Sequence, residues 1–112
     1  MIPLEADGLE ISATVPGAHR EVHVVSILGY RLDVVPGDHA LIFTYADEPG
    51  QVGRMGTILG EEGINISTMA IGKRADCREV LVFLNVESEP SSEVIERVAQ
   101  AIDATNSWAI RL

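Results

Sequence analysis

From His39 to the C-terminus the spacing of apolar residues runs in a fixed order: alternating, helical, alternating, alternating, helical, alternating. That order restricts the fold more than anything else in the chain. His39 to Ala46 (H-A-L-I-F-T-Y-A) puts Leu41, Phe43 and Tyr45 on one face and Ala40, Ile42 and Thr44 on the other. Both faces are largely apolar, which predicts a central strand covered on both sides. Asp47-Glu48-Pro49-Gly50 ends it. Proline suits the first helical position, where a missing N–H costs nothing, so a helix is predicted over 49–62. Its buried stripe is Val52, Met55 and Leu59, widened by Ile58, and Gly63 is placed to end it in the left-handed conformation. Strands over 64–73 and 78–87 follow, with Ala75-Asp76-Cys77 between them. In the second, Val80, Val82, Leu84 and Val86 make a core face, and Glu79, Asn85 and Glu87 a solvated one. Serine and proline at 88–92 signal a second helix, apolar at Val94, Ile95, Val98, Ala101 and Ile102. Asn106 and Ser107 break it, and Trp108, Ile110 and Leu112 alternate as a last strand.

The resulting β-α-β-β-α-β order predicts an α+β, ferredoxin-like domain: a four-stranded antiparallel sheet with two helices on one face. Right-handed crossovers place the first and third strands in the middle and leave the second as an edge, open unless another chain or segment covers it. Residues 1–37 are different. Residues 1–9 show no period and read as a loose lead-in. Ile11, Ala13 and Val15 suggest a short strand ended by Pro16-Gly17, and 21–27 and 31–35 make a hairpin about Leu28-Gly29-Tyr30, stopped by Pro36-Gly37-Asp38. A few strands without a helix bury too little core to stand alone. The expected division is therefore a β-rich segment, 1–37, and a second domain, 38–112. The segment is a piece of something larger, or an arm over another surface.

The net charge of -9 speaks against a nucleic-acid partner, which needs a basic surface. The longest apolar run, 40–46, is too short to span a membrane, and no basic n-region precedes an apolar core at the start. With Cys77 the only cysteine, no intramolecular disulfide can form, and a cytoplasmic location is the expectation. No phosphate loop, dinucleotide fingerprint or zinc-protease motif is present, and no catalytic residue is assigned. His19 and His23, about 13 Å apart in a strand, are too distant to share a metal, so no metal site is assigned either. His39 reads as a solvated strand start, and Cys77, beside Arg74 and Arg78, as a bystander thiol.

The corner after the first strand is the candidate binding site. In a β-α-β unit it lies near the helix N-terminus, whose free amides and dipole favour a carboxylate. Asp47 offers an anion for an ammonium, and Tyr45 a hydroxyl at the end of the same strand. A zwitterionic amino acid needs that pairing of charges. The structural alternative for Asp47 is an Asx turn, and for Asn65 a tie at a strand start. Asn65 lies at the far end of the helix, so it meets Asp47 only through a second copy of the domain. Gly53, Gly56 and Gly60 each cost about 1 kcal/mol in a helix, and a close approach of helix to sheet is the favoured account of them.

Y-A-D-E-P-G-Q-V-G with G-I-N-I downstream, on this β-α-β-β-α-β frame, resembles the ACT domain, an amino-acid-sensing module of metabolic enzymes. The resemblance is strongest to the C-terminal regulatory region of D-3-phosphoglycerate dehydrogenases of the long, actinobacterial type, in which the strands before the ACT domain are similar to I-S-A-T-V and R-E-V-H-V-V-S-I-L-G-Y-R-L-D-V here. It implies L-serine or another small amino acid as effector, bound between paired ACT domains of a homo-oligomer by Tyr45, Asp47, Pro49 and Gly50 of one domain and Asn65 of its neighbour. Some relatives have histidine where Tyr45 stands and asparagine where Asp47 stands. It also implies a parent enzyme whose catalytic domains use NAD and have no counterpart in these residues, so this fragment would carry no cofactor. The ACT region of an L-serine dehydratase β chain and a ligand-free pairing module are the alternatives.

Overall fold

The computed structural model describes residues 2–6, 9–14 and 23–111. Four strands come first: β1 (Ile2–Ala6), β2 (Leu9–Thr14), β3 (His23–Ile27) and β4 (Tyr30–Val34). They are followed by β5 (His39–Ala46), α1 (Gln51–Glu61), β6 (Ile66–Lys73), β7 (Glu79–Val86), α2 (Ser92–Ala101) and β8 (Asn106–Arg111). The β1 strand corrects the expectation of a loose lead-in: it pairs with β2 from Ile2↔Ala13 to Ala6↔Leu9. Asn106 and Ser107, expected to break the helix, already belong to β8.

All pairings are antiparallel, and the order is β1-β2-β3-β4-β6-β7-β5-β8. The expected four-stranded sheet is therefore not separate. β5 and β7 are central in its half, but β6 passes on to β4 through the single pair Arg31↔Lys73. Gly72 makes this junction fit: a Cβ there would lie 3.0 Å from the Arg31 carbonyl oxygen. Beyond that pair, the outer side of β6 has no strand partner among the described residues.

Two cores result, one on each face of the β7–β5 pair. On the first, Leu41, Phe43, Tyr45, Val80, Val82 and Leu84 meet Met55 and Leu59 of α1 and Val94 and Val98 of α2. On the second, Ala40, Ile42, Leu81 and Phe83 meet Val24, Ile27, Tyr30 and Val34 of the β3–β4 hairpin. The hairpin is the cover of the face opposite the helices, and the predicted two-sided burial of β5 holds. The outward face expected for β7 is corrected for the same reason: Leu81, Phe83 and Asn85 are buried. Asn85 survives there because it is fully bonded. Its amide donates to the Val35 carbonyl (2.9 Å) and Thr68 Oγ1 (2.6 Å), and its Oδ1 accepts from the Gly37 amide (2.7 Å).

Candidate functional site

The helix starts two residues later than proline at its first position would require. Glu48-Pro49-Gly50-Gln51 is a turn closed by the Gln51 amide on the Glu48 carbonyl (3.5 Å), and Gly50 takes φ 89 as the residue before the helix. Proline second and a positive-φ glycine third is the type II pattern, which few residues but glycine accept at its third position. The buried face is centred on Gln51, Met55 and Ile58, at i, i+4 and i+7, with Val52 at its margin. Gln51 is buried where Val52 was expected, and Val52 is 39% exposed; Met55, Ile58 and Leu59 are buried as expected. Gln51 Nε2 donates to the carbonyls of Ile102 (2.9 Å) and Ala46 (3.4 Å), and its Oε1 accepts from Arg54 (2.7 Å). One amide side chain thus ties the end of β5, the start of α1 and the end of α2 together.

The glycines of α1 do not mark a close approach to the sheet. A Cβ added at Gly53, Gly56 or Gly60 would meet nothing within 4 Å, so that expectation is overturned. Gly63 does end the helix with φ 71, and the Ile64 amide reaches back to the Leu59 carbonyl at 2.9 Å.

Tyr45 is 2% exposed, its ring within the helix-side core. Burial first, and the neighbouring Asp47 charge second, push its phenol above the ordinary value. Asp47 lies just beyond the end of β5 with a 59% exposed side chain. No side chain caps α1, and among the described residues Asp47 makes no hydrogen bond to the turn, as an Asx turn would require. Its partner is Lys73 Nζ at 4.0 Å. Pro49 and Gly50 are exposed in the turn beside it.

Asn65 is exposed in the link between α1 and β6, its backbone carbonyl accepting from the Glu87 amide at 3.0 Å. The strand register separates it from Asp47. Ile66 stands opposite Val86 and Val86 opposite His39, whereas Lys73 stands opposite Val80 and Val80 opposite Tyr45. At about 3.3 Å per strand residue, the two ends are about 20 Å apart. Tyr45, Asp47, Pro49 and Gly50 are brought together; Asn65 of the same chain is not.

Asp47 opens onto a cleft of about 280 Å³ formed with Lys73, Arg74, Cys77, Arg78 and Glu79 of the β6–β7 hairpin. Arg74 is engaged: its guanidinium donates to both Asp76 carboxylate oxygens (2.9 and 3.1 Å) and to the Leu28 carbonyl (3.3 Å). Those bonds hold the Asp76 carboxyl below its usual range. Arg74 also lies 5.4 Å from the Tyr30 ring centre, and the Tyr30 hydroxyl meets Cys77 Sγ at 3.7 Å. Burial, reinforced by that contact, pushes the Tyr30 phenol up to about 12. Glu79 Oε1 accepts from Thr105 Oγ1 at 3.0 Å. Lys73 and Arg78, on either side of the hairpin loop, were not among the residues expected at the site, Arg78 having been noted only as a neighbour of Cys77.

His19 lies outside the described residues; His23 Nδ1 is 2.6 Å from Asp33 Oδ1, and His39 is half-buried. Among the described residues no three His, Cys, Asp or Glu side chains gather as metal ligands would. No helix among them is long and apolar enough to cross a membrane.

The family model of the ACT domain matches residues 39–103. The chain is 33% identical over 107 residues to D-3-phosphoglycerate dehydrogenase of Archaeoglobus fulgidus, covering 91% of this chain and 20% of that protein. It is 31% identical over 101 residues to the enzyme of the same name from Mycobacterium tuberculosis (88% and 19%) and 28% identical over 94 residues to that of Bacillus subtilis (84% and 18%). The chain spans about a fifth of the length of these relatives.

Proposed function

The chain belongs to the ACT domain family, and from that premise we propose that it is the amino-acid-binding regulatory region of a D-3-phosphoglycerate dehydrogenase, with L-serine as its effector. The supporting observation is the state of Asp47. Its carboxylate is exposed at the mouth of a cleft, unbonded to its own turn and held only by a loose contact to Lys73. A pair so exposed is worth about 0–1 kcal/mol, so a ligand ammonium displaces it at little cost.

The second half of the site comes from a second copy. Asn65 and Asp47 lie beyond opposite ends of a stretch of sheet about 20 Å long, so Asn65 cannot complete the same pocket. The outer side of β6 is open over most of its length and carries exposed Met69 and Ile71, which suits pairing with another chain. A ligand shared by two domains binds only the pair, and so shifts the equilibrium toward it. The catalytic and NAD-binding parts of the parent enzyme lie outside these residues, and coupling to them follows from that shift.

Titration calorimetry tests the reading. L-serine should release or absorb heat on mixing with the protein, and Asp47→Ala should abolish the signal while leaving the thermal midpoint near that of the wild type. No heat with millimolar L-serine, alongside binding of glycine or another amino acid, would sink the serine assignment. A dimer indifferent to every amino acid tested would leave the ligand-free pairing reading in its place.

A further inference from the structure

The cleft at Asp47 gathers three cations, Lys73, Arg74 and Arg78, in a chain whose net charge is -9. Arg74 is satisfied by Asp76, and Glu79 is held by Thr105. Lys73 touches Asp47 only at 4.0 Å. Arg78 lines the cleft and makes no hydrogen bond or ion pair among the described residues. Asp47 and Lys73, in loose contact with each other, and Arg78, with no partner among the described residues, are thus the charged groups left to a ligand. The amides at the start of α1 are less well placed to meet an anion in this cleft. Gly50 and the first turn of the helix are not part of its wall, and the Arg54 guanidinium lies 3.9 Å from where a Cβ on Gly50 would stand.

We propose that Arg78, assisted by Lys73, binds the carboxylate of the amino-acid effector, in the same cleft and on the same protomer as the Asp47 that binds its ammonium. This rests on the reading of Asp47 as an effector contact and adds the specificity-determining partner which that reading lacks. A guanidinium meets a carboxylate through two parallel N–H···O bonds, which fixes orientation as well as charge. When the ligand ammonium takes Asp47, Lys73 is released from its only contact and turns to the same carboxylate. The cleft, about 280 Å³, has room for an amino acid with a small side chain. The site selects α-amino acids with a free carboxylate and discriminates against their amides and against simple amines.

The test is a ligand-and-mutant cycle by calorimetry on the whole chain, with L-serine and L-serine amide titrated into wild type, Arg78→Gln, Arg78→Lys and Asp47→Ala. Arg78→Gln should weaken L-serine about tenfold or more, the scale of a lost charge-assisted bond. L-serine amide, lacking the carboxylate, should bind the wild type about as weakly and lose nothing further in Arg78→Gln. Arg78→Lys should recover part of the loss. Because Arg78 is exposed and unbonded, the thermal midpoint should not move in either variant. Arg78→Gln that binds L-serine as the wild type does, or that weakens serine and its amide equally, overturns the proposal while leaving Asp47→Ala to decide the effector site itself. If the wild type binds no amino acid, both readings fall together.

Discussion

Gln51 carries the corner. Its amide nitrogen donates to the carbonyls of Ala46 and Ile102 and so holds the uncapped start of α1 to two other elements. Gln51→Ala leaves the buried Ile102 end of α2 without its donor, and a urea titration should show a loss of about 1–3 kcal/mol. Sequence reading missed this residue for a definite reason. An apolar stripe picks out Val52 with Met55 and Leu59 and passes over a polar residue, although Gln51 stands at i, i+4, i+7 with Met55 and Ile58. Asp47, by contrast, could be picked out as a candidate, because it offers an anion for an ammonium beside a predicted helix N-terminus. Lys73 and Arg78 could be found as cations beside a loop, but nothing in their spacing says they face Asp47; only the strand register does that.

The two tyrosines give a pH signature at the same scale. Burial favours the neutral phenol, so both have folded-state values above the ordinary 10.0, Tyr30 at about 12 and Tyr45 raised. A group with a raised folded value contributes stability that is whole below its unfolded value and lost as pH climbs through the folded one. The native protein at pH about 10 should therefore show well under half of the tyrosinate absorbance that the same protein shows in concentrated urea. Equal absorbance in the two solvents would contradict the burial of both rings. Between pH about 10 and 12 the stability should fall, and Tyr30→Phe should flatten that fall.

Among the elements, α1 is the one whose residues are least well matched to its protomer. Gly53, Gly56 and Gly60 gain nothing visible from lacking a side chain, since the space beside each is open. Gly56→Ala should raise the stability of the folded chain by about 1 kcal/mol, the ordinary helical preference for alanine over glycine. Circular dichroism melting reads it, and a lower midpoint would mean that something occupies that face. The second helix shows the ordinary case: Ser91 Oγ accepts from the Val94 amide at 3.3 Å, and Ser91→Ala should cost about 1 kcal/mol. Both helices and the strands from β2 onward were legible because their apolar periods are clean over several residues, whereas β1 has no such period. The burial of Asn85 was not, because a polar side chain does not announce that its face is covered by another part of the chain, although the apolar run 80–84 carried the same two-sided signal as β5.

At the scale of the whole molecule, the β3–β4 hairpin and the family domain share a core. Val24, Ile27, Tyr30 and Val34 cover Ile42, Leu81 and Phe83, and Asn85 pins the link between them through Val35 and Gly37. A chain reduced to residues 38–112 should expose that apolar face, and so unfold at lower urea or aggregate. A truncated chain as stable and soluble as the intact one would contradict the shared core. The sequence led to the expectation that residues 1–37 do not stand alone, and it did indicate that β5 was covered on both sides. It could not say that one observation answers the other, since that depends on contacts between residues far apart in the chain.

The central claim is that Asp47 and Asn65 belong to two different pockets, each completed by the other's chain. Mixing two inactive variants tests it most directly. Asp47→Ala and Asn65→Ala, each alone, should give no heat with L-serine. Mixed and allowed to exchange, they form dimers with one pocket lacking both residues and one pocket intact, so serine binding should return with near wild-type affinity and reduced stoichiometry. If the mixture stays as silent as its components while each variant remains folded and paired, the effector does not bind between two chains in the way proposed.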